Sequence, residues 1–592
     1  MTYQAPVDDI LLALKTAVDL DGRLAAGLYD DLDIETLTAV IEEAGKFGAE
    51  VLDPLNSVGD KQGSRLVDGK VVTPDGWKEA YAQFVAAGWG ALPCSPDYGG
   101  QGLPEIAQMV AAEIWNATNM SFGLCPLLTQ GAIHALMISG TEEQKATYLP
   151  KMVSGEWTGT MNLTEPQAGS DLGAIRTKAV PQGDETYRIF GTKIFITYGD
   201  HELSENIIHL VLARLPDAPA GTKGISLFLV PKFLVGPKGE IGARNDVVCT
   251  GVEHKLGIHA SPTCVMQYGD GDGAIGYLIG QENRGLATMF HMMNQARLAV
   301  GVQGVAISER ASQHADAYAR DRKQGAKIGG PPGEMVAIIN HVDIARSLLH
   351  MQALTQASRM ICYATAGEID VSHLANDPGE REAAAARGAL LTPVAKAFST
   401  DASLEVASTG IQVHGGMGFI EETGAAQYLR DARILPIYEG TNGIQAIDLV
   451  TRKLPLGDGA VVKAYIEDLS QMVGEVVASN EPDFVRMAEK LGGAVKALAA
   501  ATHWMGEQLQ SHPEAALASA TPYLRLFGIA AGGAYLGKSA VTAVRNGEGS
   551  GRAVMVARYF AENVSTEAPG LADAVTGGAD AVLAATPERL EG

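Results

Sequence analysis

The stretch "YRIFGTKIFIT", Tyr187 to Thr197, decides the fold class. Its Tyr, Ile, Phe and Thr residues are β-formers, interrupted by a single glycine. Similar short runs lie near it: "NIIHLVLARL" (206–215), "GISLFLVPKFLV" (224–235) and "PTCVMQYGD" (262–270), parted by Gly, Pro and Asp. They predict an antiparallel β domain over residues 159–280. Within the first run, a period of two puts Phe195 and Thr197 on one face, with Ile194 and Ile196 on the other.

On both sides the pattern turns helical. In residues 1–158, "IETLTAVIEEAGKFGAEVLDPLN" (34–56) spaces its apolar residues three and four apart and then meets Pro54, read as a stop. Thr141, ahead of Glu142 and Glu143, reads as a helix N-cap. Residues 281–455 read as a helical bundle. There Met289, Phe290, Met292 and Met293 fall at core spacing in "GLATMFHMMNQARL". A Pro/Gly break near 455 precedes an Ala-rich helical extension, 456–592, in which no cluster of chemically active groups is evident. The fold class expected is α+β, mainly helical.

A chain of 592 residues with 46% hydrophobic content is long enough for several buried cores. A net charge of −24 argues against a protein that tracks a nucleic-acid backbone or docks on an anionic membrane surface, so neither partner is expected. The five cysteines are scattered, with no CxxC pair, which suits a reducing compartment and no structural metal. The start, "MTYQAPVDDILLALK", lacks the basic flank of a signal peptide. No uncharged apolar run of spanning length is seen. A cytoplasmic protein is expected.

Several stretches could carry chemistry. "LTEPQAGSD" (163–171) offers Thr164, Ser170 and turn amides to a polar ligand. Phe195 and Thr197 could pack on and hydrogen-bond to a flat heterocycle. Arg322, beside Arg320 and Lys323 at a helix end, could hold a pyrophosphate. Gly415 and Gly416 in "QVHGGMGF" (412–419) permit close backbone approach. In "YEGTNGIQ" (438–445), Thr441 or Asn442 would cap the next helix, and Glu439 lies just outside it. Taken singly, each has a plainer reading as a turn, a strand face or a solvated charge.

In this order, and with "EHKLGIHASPT" (253–263) and "ARDRKQG" (319–325) added, they resemble the acyl-CoA dehydrogenase family in its long form with a C-terminal extension. The resemblance covers roughly residues 30–455. It implies FAD as cofactor, an acyl-CoA substrate, an electron-transferring flavoprotein as acceptor and a homodimer. It implies Glu439 as the base that takes the α proton while flavin N5 takes the β hydride, with the Glu439 N–H on the thioester oxygen. Ile437 and Tyr438 would raise the Glu439 pKa by desolvation.

By the same resemblance, Thr164, Phe195 and Thr197 face the flavin ring. Ser170 lies by the flavin and the pantetheine arm. Arg322 reaches the pyrophosphate across a subunit interface. Gln412, Gly415 and Gly416 lie by the adenylate half, and Thr441 holds the cofactor near the catalytic loop. Arg297, Tyr438 and Gly440 line the substrate.

Four positions depart from the family pattern: Phe195 for Trp, Gln324 for Phe, and His341 and Gly443 for Gln. The substrate implied is 3-(methylthio)propanoyl-CoA, in dimethylsulfoniopropionate breakdown. General medium- or long-chain acyl-CoA, an oxidase, or a DNA-associated flavin-bearing relative are the alternatives.

Overall fold

A computed structural model describes residues 2–29, 32–236, 239–331, 333–547 and 550–590, without the side chains of 290–292 and 550. The chain forms two compact units. One comprises residues 44–296, the other residues 3–43 with 297–592.

The first unit is built on an eight-stranded sheet. Its strands are β1 (Trp157–Asn162), β2 (Lys178–Pro181), β3 (Thr186–Thr197), β4 (Asn206–Ala213), β5 (Ser226–Pro231), β6 (Val247–Val252), β7 (Thr263–Tyr268) and β8 (Ala274–Ile279). The order is β6-β7-β3-β8-β5-β4-β1, with β2 also on β3. All pairs are antiparallel except β1 with β4, which are parallel. The purely antiparallel expectation is corrected there. The chain between β1 and β4 runs out through β2 and β3, so β4 can re-enter beside β1 in the same direction.

The period-two rule explains why this sheet is apolar on both faces. Ile208, Leu210, Leu212, Leu227 and Leu229 join a core with Leu128, Ile133, Leu149 and Met152. Those four come from helices α1 (Glu105–Ser139) and α2 (Glu142–Ser154). The alternate residues Val211, Ala213, Phe228 and Val230 join a second core with Ile189, Cys264 and Met266. Thr141 caps α2 in a full capping box, accepting from the Gln144 N–H. Although α1 is long and apolar enough to cross a membrane, most of its apolar window is buried within the protein.

Pro54 is not a stop. Helix Ile34–Phe47 passes through a wide turn at Gly48–Leu52 into helix Asp53–Gln62, where Pro54 occupies the first turn and its missing N–H is harmless. A small hairpin, Arg65–Val67 with Lys70–Val72, also interrupts the helical N-terminal region.

The second unit is helical. Its framework is α3 (Gly285–Asp321, from Arg297 onward), α4 (Val342–Leu374), α5 (Pro378–His414), α6 (Asn442–Asp448), α7 (Ala460–Ala478), α8 (Val485–Ser511) and α9 (Ala520–Asn546). In α9, added Cβ atoms on Gly528 and Gly532 would lie 2.3 Å from Phe398 of α5 and 2.8 Å from Ala357 of α4. Those glycines let the C-terminal extension pack backbone-close onto the bundle. Met289 is buried and Met293 partly so, while the side chains of Phe290 and Met292 lie outside the described residues.

Candidate active site

Glu439 follows Tyr438 at the end of an irregular segment, and the chain turns sharply there. Glu439 (φ 54°) and Gly440 (φ 82°) both adopt left-handed backbone. Thr441 then caps α6, its Oγ1 accepting from the Ile444 N–H at 3.2 Å. Thr441, rather than Asn442, is therefore the cap.

The turn is pinned from three directions. Gln445 Nε2 donates to the Glu439 carbonyl at 3.0 Å. Lys396 Nζ, from α5, donates to the Gly440 carbonyl at 3.0 Å and to Asn442 Oδ1 at 2.8 Å. Asn442 Nδ2 donates to Asp401 Oδ1 at 2.7 Å. The Tyr438 hydroxyl donates to Gln303 Oε1. Among the described residues the Glu439 N–H gives no hydrogen bond, which leaves it free for an oxygen acceptor.

The electrostatics favour a base. Burial pushes the Glu439 carboxyl above its ordinary range, against the opposing pull of Arg297 and Lys396. Arg297 is 4% exposed and pairs with Asp448 at 3.2 Å. A Cβ on Gly440 would lie 3.9 Å from its Nη2. Ile437 is itself 47% exposed.

In the first unit, the "LTEPQAGSD" turn and β3 are tied together. Ile194 N–H donates to the Thr164 carbonyl at 2.9 Å. Lys193 Nζ donates to Glu165 Oε1 at 2.8 Å and to the Leu163 carbonyl at 2.9 Å. A bulge in β3 opposite Cys264/Met266 breaks the alternation. Lys193 and Ile196 are thus both buried although three apart, and Phe195 takes φ 60°. The simple face assignment fails at this point because the bulge adds a residue. Phe195 stands 58% exposed, with Thr197 half-buried two residues on. The Thr197 carbonyl accepts from Thr160 Oγ1 at 2.7 Å.

Four family models match in order along the chain. Acyl-CoA dehydrogenase, N-terminal domain, matches residues 34–156, the middle domain 160–270 and the C-terminal domain 283–454. Acetyl-CoA dehydrogenase C-terminal like matches 463–586. A relative from Ruegeria pomeroyi, 3-methylmercaptopropionyl-CoA dehydrogenase, is 48% identical over 99% of this chain and 100% of its own.

The chain belongs to the acyl-CoA dehydrogenase family.

A butyryl-CoA dehydrogenase of Syntrophomonas wolfei is 38% identical over 80% of this chain and 79% of its own. The fold also matches an acyl-CoA dehydrogenase of Bacillus anthracis, complexed with FAD. There the TM-score is 0.74 at 20% identity, over 95% of this chain and 90% of that one.

In this acyl-CoA dehydrogenase, Glu439, Gly440, Thr441, Tyr438 and Arg297 share one neighbourhood of the helical unit. Thr164 and the segment of Phe195 and Thr197 share one region of the β unit. Ser170 is exposed. Arg322 is exposed past the end of α3, in a short ladder whose Ile338 N–H donates to the Arg322 carbonyl. The Gln324 carbonyl meets His341 Nε2 at 2.7 Å, so two of the departures from the family pattern are partners of each other. Gln412, Gly415 and Gly416 end α5 on exposed backbone, and nothing lies within 4 Å of where a Cβ on Gly415 or Gly416 would be.

Lys396, Gln445, Glu165 and Lys193 were not singled out from the sequence, and Asn442 was read only as a candidate cap. Lys396 had left a signal. It lies within "PVAKAF", among apolar residues of a buried helix, where a lone lysine needs a partner.

Proposed function

We propose that this acyl-CoA dehydrogenase desaturates the α,β bond of a short acyl-CoA thioester with Glu439 as the base. 3-(Methylthio)propanoyl-CoA is the substrate. The observation that carries the role of Glu439 is its desolvated carboxyl on a pinned turn whose own N–H is free. The substrate rests on 48% identity, end to end, with the relative of that name. The butyryl-CoA dehydrogenase relative favours a second reading, a short unbranched chain.

The residues present fit FAD. An outstanding aromatic ring, two threonine hydroxyls and turn amides suit a flat heterocycle, and an open Gly-Gly backbone with an exposed arginine suits a nucleotide tail. Thr164, Ser170, Phe195, Thr197 and Thr441 would hold the ring side. Arg322, Gln412, Gly415 and Gly416 would hold the pyrophosphate and adenylate. When bound, FAD accepts the β hydrogen with its electron pair.

The rest is done by the protein. Glu439 takes the α proton, and the elimination leaves a double bond between the two carbons. The Glu439 N–H stabilises the thioester oxygen as charge develops there. Tyr438, Gly440, Arg297 and Ser170 would line the substrate. A carboxyl with a raised pKa is a better-matched base for a weak carbon acid.

The electron acceptor would be an electron-transferring flavoprotein, because the reduced cofactor must shed two electrons before the next turnover. A homodimer in the cytoplasm completes the reading. Exposed apolar side chains near Arg322 and Gly415, Ile328 at 86% and Phe419 at 87%, support an interface between copies. Free, buried thiols support a reducing compartment.

The test is turnover of a panel of acyl-CoA thioesters with an artificial electron acceptor. 3-(Methylthio)propanoyl-CoA should show the highest kcat/KM, and preference for long unbranched chains would reject it. Glu439→Gln should keep yellow FAD and lose turnover.

A further inference from the structure

Lys396 is an unusual residue to find where it is. It lies midway along α5, with no exposed area, between Ala395 and Ala397. Burying an ammonium group is costly unless it is paired. Its bonds are to the Gly440 carbonyl and Asn442 Oδ1, both in the turn that carries Glu439. Asn442 is in turn held by Asp401 and by the Ala397 carbonyl, also on α5. A rigid helix thus grips the catalytic turn through one lysine and one asparagine.

We propose that Lys396 is a positioning residue for the base: its buried ammonium group fixes the Glu439–Asn442 turn and supplies positive charge that keeps Glu439 a carboxylate. The proposal rests on the reading of Glu439 as base.

The charged groups around Glu439 can be named. Arg297 comes from α3 and Lys396 from α5, and Asp401, also on α5, acts on Lys396. Asp448 on α6 offsets Arg297 by pairing with it, and it also pairs with Arg452 and Lys453. Tyr438 is a further titratable neighbour, and burial, then the Glu439 charge, hold its hydroxyl protonated. Lys396 therefore differs from Arg297, whose charge is shared with a carboxylate at 3.2 Å. Burial brings Lys396 down to about 7, against the pull of Glu439 and Asp401, so its charge is present in acid, where Glu439 gains or loses its proton.

The sign follows. Removing the Lys396 charge raises the Glu439 pKa, so the acid limb of activity moves to higher pH. The shift expected for Lys396→Met is about one pH unit, or roughly a tenfold loss on the acid side. Lys396→Arg should keep the limb near its wild-type position. An infrared difference titration, with Glu439→Gln identifying the band, reads the same carboxyl without turnover and should show the same shift between wild type and Lys396→Met.

An unmoved limb in Lys396→Met, with only a lower Tm, would reduce Lys396 to structural support and overturn the proposal. If that variant does not fold, Lys396→Gln keeps a donor and loses the charge, and the same two outcomes apply. Should Glu439→Gln itself turn over normally, the assignment of the base fails instead, and the two failures are told apart.

Discussion

Lys193 and Glu165 form a 2.8 Å ion pair with side-chain exposures of 0% and 4%. Glu165 also accepts from the Arg176 N–H at 2.6 Å, the Thr177 N–H at 3.0 Å and the Thr177 hydroxyl at 2.6 Å. One carboxylate therefore fixes the turn that carries Thr164 and Ser170 against the strand that carries Phe195 and Thr197. Removing one partner leaves the other charge buried alone, at a cost of roughly 3–5 kcal/mol. Glu165→Ala should lower the urea midpoint accordingly and release FAD on gel filtration.

The same carboxylate sets an acid limit. Burial alone would raise its pKa, but Lys193 and the hydrogen bonds outweigh burial and hold it at about 2. A carboxyl depressed in the folded state contributes stability above its unfolded pKa of about 4.5, lost as pH falls toward 2. Thermal melts at pH 5, 4 and 3 should therefore fall more steeply for the wild type than for Glu165→Gln.

For Glu439 the direction is opposite. Burial raises its pKa above 4.5 despite Arg297 and Lys396. Turnover needs the carboxylate, so activity rises with pH through that raised value. A kcat/KM profile should show an acid limb above the ordinary glutamate range, absent from any residual rate of Glu439→Gln.

Gly440 is where the turn tolerates least. Its φ is 82°, and an added Cβ would lie 2.9 Å from Gln445 Nε2, the group that holds the Glu439 carbonyl. Gly440→Ala adds about 1 kcal/mol of backbone strain and displaces Gln445. Its kcat should drop about tenfold or more, since a small misplacement of a base is costly. Circular dichroism should remain native.

Gly528 tests the extension. A methyl there would lie 2.3 Å from Phe398, two residues from Lys396 on α5. Overpacking costs typically about 1–3 kcal/mol. Gly528→Ala should lower Tm by a few degrees and weaken activity, although residue 528 lies far along the chain from the base.

What local rules govern was readable in the sequence. Thr141 and its first-turn acids mark a cap because the pattern and its cause span only four residues. The alternation of helix, sheet and helix shows in composition alone, and the ordered motifs led to Glu439. What was missed depends on distant partners. The parallel pairing of β1 with β4 needs the path of the chain between them. The bulge at Phe195 is set by registry with β7, and it is this bulge that turns Lys193 inward. Lys396 and Asn442 meet across more than 40 residues of sequence. Pro54 was misread because a wide helical turn lets the helix restart there.

Left to local preference, position 439 would be glycine. A side chain at φ 54° costs on the order of 1 kcal/mol, and the helices that grip the turn supply it. The site is thus the least self-sufficient part of the bundle and depends on neighbours to keep its shape. Warming should let this turn slip before the helices come apart, so the protein falls silent while still folded.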